Sequence, residues 1–335
     1  MAGAVVIAVD AMGGDHGPAV TAPAVAAFLA NHPDVRVRLF GERAALRALS
    51  GDRSGRLTLV ECSQRVERED RPAHALRHKR DSSMWRALQA VAEGSADACV
   101  SAGDTGALMA MGMAVLGTLP GIERPALCAQ IPAVSGRVCL LDLGANVDCD
   151  PEQLHQFARM GTALLQVGSS DRLPRVALLN VGAEGGKGNR VVKAAAERLA
   201  ADPSLHYQGF IEGDQLLLGQ ADLVVCDGFV GNVALKSIEG LARLLLGRLR
   251  ESSGAWRRWA AQPLLAEAFG FLDPAQYNGA SLLGLRGVVV KSHGGVDAAG
   301  FGYALGAALA EARGGLPERI AELLATPRPH QSTDD

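Results

Sequence analysis

Short apolar runs ending in glycine, aspartate or asparagine recur along the chain, and alanine- and leucine-rich stretches of helical period lie between them. VVIAVD (5–10) stops in the turn AMGGDHGP, and AVTAPAVAAFLAN (19–31) then has the spacing of a helix. VRVRLFG (35–41) and RLTLVEC (56–62) read as strands with the helix ERAALRALS between them, and SSMWRALQAVAEG (82–94) is a helix feeding the strand ADACVSAG (96–103). The second half keeps the rhythm in VCLLDLGAN (138–146), RVALLNVG (175–182), HYQGFIEG (206–213), ADLVVCDGFVGN (221–232) and GVVVKSHGG (287–295), which precedes the helix AAGFGYALGAALAEA. Repeated switching between strand and helix predicts a three-layer α/β/α, Rossmann-like fold with a mostly parallel sheet. Ligands of such sheets bind outside the carboxyl ends of the strands, so the polar chemistry is expected along one edge.

Some segments break the rhythm. CSQRVEREDRPAHALRHKRDSSM (62–84) is dense in charge and predicts a mobile surface loop; His74 and His78 lie four apart, but a solvated loop suits them better than a metal site. TGALMAMGMAVLGTLPGI (105–122) has no charge over 18 residues, just the length of a membrane span. Its glycines and the Pro120-Gly121 break favour a buried helix. LARLLLGRLRESSGAWRRWAAQPLLAEAFGFL (241–272) predicts two amphipathic helices bending at SSG, within an arm over 238–272, and the end of the chain (325–335) reads as a disordered tail. Residues 1–324 form one domain carrying that arm.

Composition narrows the classes. With 335 residues, 40 glycines and a net charge of -3, the chain has the makeup of a compact α/β protein and no footprint of a nucleic-acid binder. Its six cysteines are scattered without a C-x-x-C, so neither a disulfide scaffold nor a zinc site is expected. MAGAVVIAVD reads as the start of a strand and not as a leader.

No G-x-G-x-x-G follows the first strand, and VGAEGGKGN has the wrong spacing for a Walker loop, with Gly188 where a magnesium-binding Ser or Thr would stand. What remains is a set of glycine cradles after strands. They offer Asp10, Gly13, Gly14, Asp15 and His16 in the first, and Gly103, Thr105 and Gly106 in the next. Asn146, Gly188, the pair Asp227 and Gly231, and His293 belong to the later ones. Such loops let successive N–H groups approach an oxyanion, and the following helix N-termini favour negative charge. Phosphate fits. Lys187 adds a mobile cation and Asn232 a neutral donor, while Ser101 is not in G-x-S-x-G and no cysteine has an evident histidine partner. A bound phosphate that is itself the nucleophile needs neither.

VDAMGGDHGP, SAGDTGALM, GIERPAL, LLDLGANVDCDPE, CDGFVGNVALKSIEG, YNGASLLGLRG and VVVKSHGG together resemble the bacterial phosphate acyltransferase family PlsX, from residue 5 to about residue 323. The resemblance implies a fold like phosphotransacetylases and the isocitrate dehydrogenase group. It implies attack by inorganic phosphate on the thioester of a long-chain acyl–acyl carrier protein, giving acyl phosphate for phospholipid synthesis, without a cofactor. Lys187 matches the family's active-site lysine and Asn232 its asparagine. The chain departs from SAGNTGA, with Asp104 in place of asparagine, and GAEGGKGN is less acidic than the family's G-E-E-x-x-K-G. By the same resemblance the protein is a cytoplasmic homodimer visiting the inner face of the cell membrane, with the downstream membrane glycerol-3-phosphate acyltransferase as a further partner. Trp256, Arg257, Arg258 and Trp259 would then touch anionic lipid. The competing readings are a metal- and nicotinamide-dependent dehydrogenase of related fold and a non-enzymatic phosphate sensor at the membrane.

Overall fold

The apolar runs are strands covered on both faces, which is why they read as nearly continuous apolar sequence. The computed structural model describes residues 4–47, 55–134, 136–167, 172–251 and 274–325. Its strands are β1 (Val5–Asp10), β2 (Val35–Glu42), β3 (Leu57–Cys62), β4 (Ala98–Ser101), β5 (Ala126–Ala133) and β6 (Gly136–Leu141). They continue with β7 (Arg175–Leu179), β8 (His206–Ile211), β9 (Leu223–Val225), β10 (Ala280–Leu283) and β11 (Val288–Lys291). All lie in one sheet, ordered β3-β2-β1-β4-β11-β10-β5-β6-β9-β7-β8.

The expected parallel pairing holds inside each half of this sheet but not across it. β3, β2, β1, β4 and β11 are mutually parallel, as are β6, β9, β7 and β8. Between them β10 is antiparallel to β11 and to β5, and β5 is antiparallel to β6, so the two halves point in opposite directions. One row of paired residues nevertheless crosses the sheet: Val9, Val100, Val290, Ser281, Cys128, Leu141, Val225 and Leu178. Asp10, Ser101 and Lys291 follow this row in one half; Asp142, Cys226 and Leu179 follow it in the other. Because the halves run in opposite directions, these polar strand ends leave the row toward opposite edges of the sheet instead of lining a single edge.

Helices α1 (Pro18–Asn31) and α2 (Arg43–Arg47) come first, then α3 (Pro72–His78), α4 (Ser83–Ala92), α5 (Thr105–Val115) and α6 (Pro151–Gln166). α7 (Arg190–Ala200), α8 (Gly228–Glu251), α9 (Ala298–Arg313) and α10 (Leu316–Ala325) follow among the described residues. Val25, Phe157, Leu199, Phe301 and Ile320 bury α1, α6, α7, α9 and α10 against one face. Ala75, Met84 and Leu108 bury α3, α4 and α5 against the other, joined by Leu235 and Ile238 of α8. Each large side chain so buried is worth about 1.5–3 kcal/mol.

Two expectations change. The charged connection 62–84 is not a free loop: Pro72 starts α3, and its ring lies so close over Gly106 that a Cβ there would meet it at 2.9 Å. The arm's first helix begins at Gly228, before the predicted 238. Residues 252–273, including Trp256, Arg257, Arg258 and Trp259, and the tail from 326 lie outside the described residues. Among those that are described, no helix is long and apolar enough to cross a membrane.

Candidate active site

Asp10 ends β1 and lies beneath its glycine loop, not on its surface. The carboxylate is buried and accepts hydrogen bonds from Ser83 Oγ at 2.6 Å and Ser101 Oγ at 2.7 Å. Burial outweighs these bonds and pushes its pKa up. Ser101 Oγ in turn accepts from the Gly103 amide at 3.0 Å, so Asp10 fixes the loops after β1 and β4 together. Their contact leaves no room for side chains: a Cβ on Gly13 would meet the Gly103 nitrogen at 2.6 Å, and one on Gly14, whose φ is +87°, the Gly294 oxygen at 2.9 Å. Asp15 donates its amide to Gly294 at 2.9 Å and keeps an exposed carboxylate 3.6 Å from Arg68. His16 is exposed.

Lys291 closes this first cluster, and the sequence reading did not single it out. Its ammonium donates to the carbonyl of Ala102 at 3.3 Å and to that of Ser292. Burial pushes its pKa down to about 8, against the pull of Asp104, Asp10 and Asp15. His293 is lowered by burial and then by Lys236; its amide donates to Asn278 Oδ1 at 2.7 Å, and its Nδ1 accepts from Gly295 at 3.1 Å. Asp104 is the N-cap of α5, its Oδ1 taking the Ala107 amide at 2.8 Å. Thr105 and Gly106 form the first turn of that helix, where amides lack intrahelical acceptors.

The second cluster forms where β6 and β9 end. Asp142 is fully buried and accepts from the amides of Leu127 at 2.8 Å, Leu143 at 2.7 Å and Asn146 at 2.6 Å. Asn146, expected to bind substrate, spends its side chain on the scaffold. Its Nδ2 donates to Pro125 at 2.9 Å and to Asp142, and its Oδ1 accepts from Arg124 at 2.7 Å. Asp227 likewise caps α8 through the Val230 amide at 2.8 Å. Gly231 is required by close approach, because a Cβ there would lie 1.9 Å from the Asp142 carbonyl oxygen. One turn of α8 is thereby pressed onto the β6 loop, and Asn232 comes to rest exposed over Gly144, with Nδ2 3.9 Å from where a Cβ would stand.

Lys187 stays in its own loop after β7. Asn180 staples that loop, donating from Nδ2 to the carbonyls of Gly182 at 3.1 Å and Lys187 at 3.3 Å, while Gly188 takes a φ of +90° above it. Lys187 is exposed, its stem lying over Gly182, and no hydrogen bond or ion pair joins it to Asn232 among the described residues.

What links the two clusters is α8. Asn232 and Lys236 are four apart and share a face, and Lys236 lies close enough to act electrostatically on His293 and Lys291. Glu239, one turn on, pairs with Lys236 at 2.9 Å. An exposed amide over Gly144, an imidazole held toward its neutral form and a half-buried ammonium thus stand beside the glycine loops. That arrangement can hold an anion and orient a carbonyl. Among the described residues, no group of three His, Cys, Asp or Glu side chains is placed to hold a metal ion.

The fatty acid synthesis protein family matches residues 5–319 of the chain. A phosphate acyltransferase of Saccharophagus degradans is 50% identical over 327 residues, 95% of either chain. A second, of Alkalilimnicola ehrlichii, is 50% identical over 333 residues, 97% of either chain. A solved phosphotransacetylase from Streptococcus pyogenes shares the fold at a TM-score of 0.63 and 17% identity, over 92% of this chain and 93% of its own.

Proposed function

The chain belongs to the PlsX family of phosphate acyltransferases, and we propose that its acyl donor is a long-chain acyl–acyl carrier protein. Hydrogen phosphate held by the glycine loops attacks the thioester carbon. An O–C bond forms, the tetrahedral oxyanion collapses, and the C–S electron pair leaves on sulfur. The proton of hydrogen phosphate ends on the thiol, so acyl phosphate and free carrier protein account for every atom. Asn232 orients the carbonyl or donates to its oxyanion, Lys187 neutralises phosphate or developing charge, and His293, whose Nδ1 is taken by the Gly295 amide, offers its Nε2–H as a donor to the bound anion.

The observation that supports this reading is the shared face of α8, on which Asn232 lies over Gly144 and Lys236 acts electrostatically on His293. The test is incubation with phosphate and palmitoyl–acyl carrier protein, followed by product mass analysis. Acyl phosphate that forms only with phosphate is expected; thiol release without it, or none at all, overturns the reading. Asn232→Ala should lower turnover at least tenfold in a folded protein. A dehydrogenase or a sensor is disfavoured by relatives half identical to this chain that are phosphate acyltransferases.

A homodimer and contact with an anionic bilayer belong to the same proposal. They draw support from α8, which exposes Phe229, Val233, Leu241, Leu244 and Leu245, more apolar surface than an isolated helix face keeps in water. Replacing Trp256 and Trp259 by serine should weaken flotation with anionic vesicles while sparing turnover. Equal flotation of the intact protein would leave the arm a packing device.

A further inference from the structure

The sequence VVVKSHGG ends a strand with one lysine, and the roles above leave that lysine without work. Its surroundings give it some. Lys291 stands at the end of β11 beside the loop after β4, within electrostatic reach of Asp10 and Asp15, and two carbonyls, of Ala102 and Ser292, hold its ammonium in place. Two acceptors leave one of its three N–H groups free.

The nearby charges do not neutralise it. Asp10 is buried against Ser83 and Ser101, Asp104 caps α5, and Asp15 faces Arg68. Lys236 and Glu239 of α8 pair with each other, and His293 is held toward its neutral form. Among the described residues Lys291 makes no ion pair. Lys291 is half-buried, and an ammonium drawn part-way out of water and held only by carbonyls is better satisfied when an anion joins it. The amides of Gly14 and Gly294, in the two loops beside it, have no acceptor among the described residues. They are the donors such an anion would use.

We propose that Lys291 is the cation that binds the attacking phosphate, which leaves Lys187 to meet the charge that develops on the acyl side. This assignment rests on the acyl-transfer reading above. It also explains the depressed pKa: burial without an anion favours the neutral amine, and phosphate restores the charged form.

The test compares the wild-type dimer with Lys291→Met and Lys291→Arg, measuring the KM for phosphate and for palmitoyl–acyl carrier protein separately. Lys291→Met should raise the phosphate KM at least tenfold with little change in the donor KM, and Lys291→Arg should recover part of the loss. The pH dependence of kcat/KM for phosphate adds a readout that a structural role would not move. Phosphate titrates identically in all variants, so any descending limb present near pH 8 in the wild type and absent in Lys291→Arg belongs to Lys291. Should the variants fail to fold, wild-type protein labelled with acetic anhydride at pH 8, with and without saturating phosphate, answers by peptide mass analysis; protection of Lys291 is expected. An unchanged phosphate KM in folded variants, a loss shared equally by both substrates, or labelling indifferent to phosphate overturns the proposal. If the wild type makes no acyl phosphate, the acyl-transfer reading itself fails, and the labelling result still reports on the anion site alone.

Discussion

Glu311 is a carboxylic acid in the wrong medium, and neutralising it should stabilise the protein in a way that depends on pH. It lies on α9, 4% exposed, beneath a cavity of about 630 Å³ shared with Phe28, Cys128, Tyr277 and Tyr303. Its hydrogen-bond partner is Ser281 Oγ. Burial pushes its pKa from 4.5 to about 8, so between those values the folded protein binds a proton that the unfolded chain has released. Stability therefore falls as pH rises through that window. Holding the proton at pH 7 costs 7 minus 4.5 pH units at 1.36 kcal/mol each, about 3 kcal/mol as an upper bound. At pH 5 the same arithmetic leaves about 0.7 kcal/mol. Glu311→Gln keeps an acceptor for Ser281 and removes the titration. With about 2.1 cal/mol/K of unfolding entropy per residue, the gain at pH 7 is about 4 °C in Tm and at pH 5 about 1 °C. Calorimetric scans of both proteins at pH 5, 6, 7 and 8 read this directly. A gain equal at every pH, or a loss at pH 7, would refute the reasoning, because then packing and not charge would decide the position.

Other substitutions test other parts of the scaffold. Asp104→Asn keeps the cap of α5 but loses its charge, so thermal unfolding should show a loss of about 0.3–1 kcal/mol, whereas Asp104→Ala should lose a further ~1 kcal/mol with the cap. The phosphate KM of Asp104→Asn should be equal or lower; a large activity loss in the folded protein would show a role beyond capping. Asn180→Ala frees the loop carrying Lys187, so kcat should drop while Tm holds, with faster proteolysis at 182–188 as the accompanying sign. Asp202 accepts from Arg159 Nε at 2.6 Å, pairs with His155 Nε2 at 2.7 Å and is held well below the usual carboxylate range. Asp202→Asn strands a buried guanidinium and should cost about 3–5 kcal/mol in urea unfolding. Its contribution in the wild type is present above pH 3.8 and is lost as acid protonates the folded form.

The strands, their glycine loops and the starts of α1, α4 and α9 are legible because each is a local pattern. Pro18 stands just inside α1, a helix read from the sequence, and Pro151 just inside α6, a helix not read there although DCDPE carries the same cue. The opposed direction of the half-sheets is not legible, since β10 and β5 are set by pairings between residues more than 150 positions apart. Nor can sequence distinguish an acid that faces a ligand from one that is buried beneath it. Asp10, Asn146 and Asp227 carry the polarity expected of a site, and each supports a loop or a cap instead. Lys291 fails the other way: it looks like the polar end of an apolar strand, and only the arrival of Ala102, from a different strand, gives its ammonium a position. A lysine followed by Ser-His-Gly-Gly was the available signal.

The opposed halves give the site its division of labour. In a fully parallel sheet every strand would deliver its loop to the same edge, and phosphate and thioester would compete for one crevice. Here β10 and β5 separate the last strand of one half, β11, from the first of the other, β6. Three inter-strand spacings set β11 and β6 ~14 Å apart across the sheet, and their ends leave it in opposite directions. No single side chain spans that distance. α8 does: it starts at the β9 end, is locked to the β6 loop by Gly228 and Gly231, and rises ~6 Å between Asn232 and Lys236. In the proposed reaction, an anion on the Lys291 side and a carbonyl on the Asn232 side would be gripped independently and related by one rigid element. Gly231 consequently fixes by packing how closely α8 sits on the β6 loop. Adding even a methyl group there would lift α8 from the Asp142 carbonyl and move Asn232 and Lys236 together, without touching either substrate.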